Sequence, residues 1–323
     1  MRHTDPAPAH TGYRADDLVT AVAAAIRAPS MHNTQPWRFR LRDGGIDVLL
    51  DPQRGLTVAD PTGWAARIAC GAATFNARLA LAVAGRPARV RLRPGPEPEL
   101  AARMTPGPPR PATYVEQDLA AAIAHRHSNR QPFWPDPVPS PMRVRLLEAA
   151  RAEGAWLDLL VGTTAFAGVA EIARSADRVL RRDPAYVAEL MTWAHSDAAR
   201  DGVPTPSGVA AIPGGPVPHR PYGEGPHGHD REPEPLLAVL GMGGDTAADQ
   251  VAAGQALQHV LLAAHDVGLA ASMISQPIEV PGAREQLRQA VGRRGVPQMV
   301  LRLGYGVRGR PTPRRDPAEF IDD

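Results

Sequence analysis

The stretch "IAHRHSNRQPF" (residues 123–133) closes an alanine-rich run, "DLAAAIAHRHSNR", that reads as a helix ending in a basic loop. The guanidinium forks of Arg126 and Arg130 match the oxygens of a phosphate or carboxylate, and the Ser128 hydroxyl adds a neutral donor. The same residues also fit a solvated basic helix end that complements the helix dipole. A second stretch, "APSMHNTQPWRF" (28–39), bears on the choice. Pro29 stops the helical pattern that precedes it. Ser30 and Asn33 carry short polar side chains suited to a turn, and equally to the polar edge of a ligand. Gln35-Pro36-Trp37 then opens a strand, with Trp37 read as core.

Working outward, the 323 residues are 43% hydrophobic, enough for one large core or two medium ones. All 36 basic residues are Arg and the net charge is only +2, which argues against bulk nucleic-acid binding, where a basic stripe is expected. The one cysteine, Cys70, excludes a disulfide framework within the chain and any Cys-based metal site. It lies in the helical run "WAARIACGAATFNARLALAVA" (64–84) and reads as a small core residue. The first residues are polar rather than leader-like, and no run of 18 apolar residues occurs. The expectation is a cytoplasmic protein without membrane or nucleic-acid partners.

Helix signals run from Asp16 to Ala28, and "WRFRLR" with "GIDVLL" predicts a hairpin around Asp43-Gly44-Gly45. A long helix over 64–84 precedes the alternating strand "ARVRLR" (88–93). Residues 94–113, "PGPEPELAARMTPGPPRPAT", are proline-dense and predict a linker between a first half (1–93) and a second (114–323). In the second half the pattern predicts helices at 114–125, 141–153, 164–181 and 184–199, and a strand at "AWLDLLV". The Gly-, Pro- and His-rich stretch 202–235 reads as a long insertion. "PLLAVLGM", a helix over 246–267, "AASMIS", a helix near 282–291 and "PQMVLRLGYG" complete the chain. His219, His227, His229 and Asp230 lack helical spacing and any cysteine, so they read as loop rather than metal site. "GMGGDTAAD" lacks the spacing of a dinucleotide loop.

Two segments align without gaps: "CGAATFNARLALAVAGR" (70–86) and "AGQALQHVLLAAHDVGL" (253–269). Gly71 to Gly85 and Gly254 to Gly268 both span 14 positions. This is either a chance likeness of two alanine-rich helices or the mark of a duplicated α+β unit whose halves pack like the subunits of a dimer.

With these residues in view, the sequence resembles the FMN-dependent nitroreductases. "APSMHNTQPWRF" is similar to their helix-to-strand segment, and "IAHRHSNRQPF" to the arginine-serine segment near their N-terminus. In that family FMN lies at a dimer interface, with the two segments donated by different subunits. Here both occur in one chain in reversed order, an arrangement that resembles the Acg-type branch of fused dimers. The resemblance covers nearly all of the chain outside the 200–235 insertion. It implies an α+β nitroreductase-like fold with antiparallel or mixed sheets flanked by helices. Each half lacks what the other supplies, so it implies one composite FMN site, in a monomer that is a pseudo-dimer.

The site residues the resemblance implies are Pro29, Ser30, Asn33, Arg126, His127, Ser128 and Arg130. His127 is assigned binding rather than proton transfer. "SMISQ" adds Met273, Ile274, Ser275 and Gln276 at the ring, although the family often has an acidic residue followed by glycine there. Arg314 and Arg315 match basic tail positions that return to the phosphate, or else belong to a frayed basic tail. Three functions follow as expectations. The first is an FMN oxidoreductase drawing on NADH or NADPH to reduce a flat acceptor such as a nitroaromatic, a quinone or a pathway metabolite. The second is an FMN store with 163–235 as a lid, and the third a binding module without flavin.

Overall fold

The computed structural model describes residues 12–42, 44–93, 95–195, 200–204, 217–220, 222 and 234–322. Helix α1 (Ala15–Ala25) buries Leu18, Ala21, Val22 and Ala25, the face that three- and four-residue spacing predicts. Strands β1 (Trp37–Arg42) and β2 (Gly45–Leu50) form the expected antiparallel hairpin, from Trp37 opposite Leu50 to Arg42 opposite Gly45. Asp43 of its turn lies outside the described residues. Next come α2 (Trp64–Val83), β3 (Ala88–Leu92) and β4 (Leu100–Pro106). After α3 (Tyr114–Ala122), α4 (Ser140–Ala152) and β5 (Trp156–Leu160) come α5 (Thr163–Arg181) and α6 (Pro184–Thr192). The short strands β6 (Ala194–His195) and β7 (Val203–Pro204) pair in parallel. The chain then builds β8 (Leu236–Met242), α7 (Ala247–Asp266), β9 (Ala270–Ile274), α8 (Gln276–Glu279), α9 (Pro281–Val291), β10 (Val296–Gly304) and β11 (Ile321–Asp322).

The duplication is written in the strand order. One sheet runs β11-β1-β2-β4-β3 and the other β5-β8-β10-β9. Without β11, both place their four strands in the order first, second, fourth, third, with antiparallel pairing throughout. Each sets its long helix between the second and third strands and packs a preceding helix on it, α1 on α2 and α4 on α7. The fold is α+β with two pseudo-symmetric halves.

Helices α2 and α7 pack on each other at the centre and are buried on nearly every face, as helices apolar all round must be. Their closest approach is at Gly71 and Gly254, the glycines that align in the repeat. A Cβ on Gly71 would stand 2.0 Å from the Val251 carbonyl oxygen, and one on Gly254 2.0 Å from that of Ile68. Ile68 and Val251 hold the same place in the two repeats, so these contacts exchange under a twofold operation, as in a symmetric dimer. Gln258 Nε2 also donates to Asn76 Oδ1 at 2.8 Å across this seam.

Three expectations are corrected. The proline-dense stretch 94–113 is not only linker, because Leu100–Pro106 pairs with both β2 and β3 and belongs to the first sheet. Its prolines sit at the ends of the strand, where no ladder hydrogen bond is lost. The helix expected over 184–199 ends at Thr192, where the chain turns into β6. The tail is not frayed at Ile321–Asp322, which pairs in parallel with β1 and ties the second half to the first sheet.

Either Gly71→Ala or Gly254→Ala must push α2 and α7 apart, which costs about 1–3 kcal/mol or more. Thermal or urea unfolding is expected to show similar losses for the two variants. The double variant should lose less than their sum, because one separation relieves both contacts.

Candidate functional site

A cavity opens on the seam between the halves. Pro29, Ser30, Met31 and His32 line it from the loop after α1, and Trp64, Ala65, Ile68 and Ala69 from the first turns of α2. Across the seam stand Ser128, Arg130, Leu257, Met299 and the segment Ser272, Met273, Ile274, Ser275 and Gln276. Pro218, His219, Arg220 and Tyr222, all from the long insertion, complete the wall. The two stretches that carried the sequence reading thus meet at one place.

The loop after α1 is strained. His32, Asn33 and Gln35 have φ of 51°, 57° and 53°, a left-handed region that costs non-glycine residues of order 1–3 kcal/mol each. Side-chain hydrogen bonds hold it. Asn33 Nδ2 donates to the carbonyls of Gly202 (2.8 Å) and Pro313 (3.0 Å), and its Oδ1 accepts from Arg314 Nη1 at 2.8 Å. Gln35 Nε2 donates to the Arg200 carbonyl at 3.1 Å, and the Gln35 amide to Ser30 Oγ at 3.0 Å. Asn33 therefore positions the loop, whereas Ser30 faces the cavity.

Beyond the loop lies a cluster of cations, with Arg126 buried and Arg314 part-buried. Arg126 is 6% exposed; its Nη2 donates to the Arg27 carbonyl at 3.3 Å, while its buried Nε has no partner among the described residues. Arg314 donates through Nε to the Ile26 carbonyl (2.6 Å) and through Nη2 to that of Ala28 (3.0 Å), so it caps the carbonyl end of α1. Neither guanidinium is paired with a carboxylate among the described residues. Burial lowers the Arg126 pKa to about 10. Burial, with Arg126 and Arg27 alongside, lowers that of Arg314 to about 9. Half-buried His127 shares this field: burial first, then Arg126, Arg314, Arg27 and His265, lower its pKa to about 4. Buried charge without a counter-charge is costly, and an anion is the ligand that relieves it.

The structure separates residues that the sequence reading grouped. Arg130 is not beside Arg126: it lines the cavity, its Cζ 5.0 Å from the centre of the Tyr222 ring. The partner of Arg126 is Arg314. Arg315 turns away onto the Phe320 ring and Glu319, and only its amide reaches the loop, donating to Gln35 Oε1 at 3.1 Å. Ser128 bridges Ala271 in parallel, and the Asn129 amide donates to the Ala271 carbonyl at 2.8 Å, docking the arginine-serine loop on the edge of β9. Ser275 Oγ accepts from Arg220 Nη1 at 3.0 Å, and Gln276 Nε2 lies 3.4 Å from Asp177 Oδ1.

Sequence reasoning missed several participants. Arg302 is fully buried; it donates to the carbonyls of Asn129 (3.0 Å) and Gln131 (2.8 Å) and to Ser272 Oγ (3.1 Å), clamping the arginine-serine loop from behind. Arg220 is ion-paired with buried Glu279 and donates to Tyr186 Oη at 3.0 Å. His32 stood inside a quoted motif, but a lone loop histidine carries no pattern. His227, His229 and Asp230 lie outside the described residues, and His219 Nε2 faces Arg302 Nη1 at 3.2 Å. Among the described residues no group of three His, Cys, Asp or Glu could hold a metal, and no helix is long and apolar enough to cross a membrane. "GMGGDTAAD" resolves as the capping box of α7, formed by Thr246 and Asp249. At the end of α4, which matches the end of α1, Glu153 is bound instead by Arg78 (2.6 Å) and His259 (3.1 Å).

No family model matches the chain. A Mycobacterium tuberculosis protein provisionally named NAD(P)H nitroreductase is 31% identical over 322 residues, spanning 95% of this chain and 92% of its own. The chain belongs to the nitroreductase family. Acg of Mycobacterium tuberculosis, provisionally named in the same way, is 28% identical over 317 residues, 95% of each chain. Solved nitroreductases are more distant. One with bound FMN from Desulfitobacterium hafniense has a TM-score of 0.39 and 13% identity, covering 62% of this chain and 93% of that one. An NADPH:FMN oxidoreductase from Vibrio harveyi complexed with NAD+ has a TM-score of 0.39 and 14% identity over 62% of this chain and 74% of that one.

For this nitroreductase-family chain, an anion taken up between Arg126 and Arg314 would stabilise the native state by mass action. Inorganic phosphate at millimolar concentration is expected to raise the Tm of the flavin-free protein, and Arg126→Ala to abolish that rise.

Proposed function

We propose that the chain is an FMN-dependent, NAD(P)H-driven oxidoreductase that reduces flat acceptors such as quinones or nitroaromatics. The observation that carries this reading is buried Arg126, its Nε unpartnered and no carboxylate paired with it among the described residues, next to part-buried Arg314 and behind the Pro29 loop that lines a cavity shared by both halves. The residues present fit the cofactor. Arg126 and Arg314 would hold its phosphate, Ser30 and Ser128 its polar edge, and Met31, Ile68, Ala69, Met273 and Ile274 would wall its ring. Bound there, FMN supplies two-electron hydride chemistry, and the protein contributes orientation and electrostatics. Pro29 sets the loop's exit from α1, the neutral His127 imidazole lies in the field of Arg126 and Arg314, and Ser275 and Gln276 bring polar groups to the ring end. Arg315 acts through Gln35 rather than on the phosphate. The two halves work as a monomeric pseudo-dimer, with a first half that runs to Pro106 and a cytoplasmic setting.

A second reading, storage of FMN with little turnover, rests on the Pro218, His219, Arg220 and Tyr222 stretch lining the cavity, with Arg220 pinned to Glu279. The region 163–235 would then act as a lid. Anaerobic mixing with NADH or NADPH separates the two: rapid bleaching of the yellow protein supports turnover, and lasting colour supports storage.

Two outcomes test the phosphate end. Arg126→Ala should lose FMN, since one charge-assisted contact is worth about 1.5–3 kcal/mol, or roughly 10- to 150-fold in Kd. Arg130→Ala should stay yellow, because Arg130 lies away from that end. A phosphate dianion opposes the cations that depress His127, so its pKa should rise above about 4 when FMN binds. Proton exchange followed by NMR reads the shift, and a downward or absent shift would place the phosphate elsewhere.

A further inference from the structure

The cavity holds a hydrogen-bond donor that the flavin reading leaves unused. His32 lines the cavity at 3% exposure, with its Nδ1 2.8 Å from the hydroxyl of Tyr222, itself 5% exposed. The two rings meet edge to face at 5.8 Å. His32 Nε2 is buried and has no partner among the described residues. The charged groups facing the pair are Arg130, stacked on the Tyr222 ring, and Arg220, whose ion pair with Glu279 fixes its place. Burial and these two cations hold the imidazole neutral, its pKa well below the usual histidine range.

A neutral imidazole has one N–H. If Nδ1 accepts the proton of the Tyr222 hydroxyl, Nε2–H is left without an acceptor. If Nδ1–H donates to the Tyr222 oxygen, the phenolic O–H is left instead. Either way the pair offers one donor and can release one proton, beside cations that favour negative charge on a nearby oxygen.

We propose that the His32–Tyr222 pair hydrogen-bonds and then protonates a carbonyl oxygen of the acceptor, as in a quinone or a conjugated carbonyl. The inference rests on the flavin reading above. FMN, when bound and reduced, would supply the acceptor with a hydride and its electron pair, leaving the carbonyl π pair on oxygen. That oxygen takes the proton from the pair, giving a hydroquinone or the saturated carbonyl's enol. The base left behind is stabilised by Arg130 and Arg220 and is reprotonated from water.

The test uses full-length, FMN-loaded protein, photoreduced without oxygen and mixed in a stopped-flow with p-benzoquinone or with ferricyanide. Ferricyanide takes single electrons and no proton. Tyr222→Phe keeps the ring and removes the hydroxyl, and it should slow reoxidation by the quinone about 10²-fold. Reoxidation by ferricyanide should stay within about twofold, and a solvent deuterium isotope effect should accompany only the quinone reaction. His32→Gln, which retains an N–H donor, should lose less than His32→Phe. Unchanged quinone rates in Tyr222→Phe, or equal losses with both acceptors, would overturn the proposal. A preparation that stays colourless with added FMN would defeat the flavin reading itself, and the proposal with it.

Discussion

The approach of α2 to α7 at Gly71 and Gly254 is the constraint on which the rest depends. A side chain at either position would meet the backbone of the opposite helix. Because the glycines touch, the helices serve as a shared spine, and the apolar side chains of each enter the core of the other half: Ile68 and Phe75 of α2 pack with the second sheet, and Val251 of α7 with the first. That spacing also sets where the ends of α1 and α3 fall, and so brings the loop at Pro29 opposite the arginine-serine loop.

The same twofold scaffold is used asymmetrically. After α1, Pro29 ends the helix and a strained loop leaves room for a cavity. After α4, the Glu153 carboxylate is bound by Arg78 from across the seam and by His259 of its own half. The cations divide in the same manner. Arg78 has its acid, whereas buried Arg126 and part-buried Arg314 have none among the described residues. A stability argument alone does not account for Arg126, whose buried Nε has no partner among the described residues. The proposed anion site would account for it.

Much of this was legible in the sequence, for identifiable reasons. The long helices showed because Gly85 and Gly268 close them at matched positions, and the hairpin because its strands flank a glycine turn. The two loops that meet at the cavity were recognisable because their residue types fit a resemblance as well as a local pattern. Strand β4 was hidden because its neighbours are prolines and its partners, β2 and β3, are chosen by tertiary pairing. The exchange of Arg130 for Arg314 beside Arg126 depended on the path of the tail back to β1, which no local spacing encodes. His32 was passed over because its significance comes from a left-handed backbone held by Asn33 and from Tyr222, far along the chain.

Fused halves that pool their parts have room for one cofactor where a true dimer has two. Titration of the flavin-free protein with FMN, followed by calorimetry and by visible absorbance, measures this directly. The account predicts one equivalent bound per 323-residue chain. Two equivalents, or none, would contradict it.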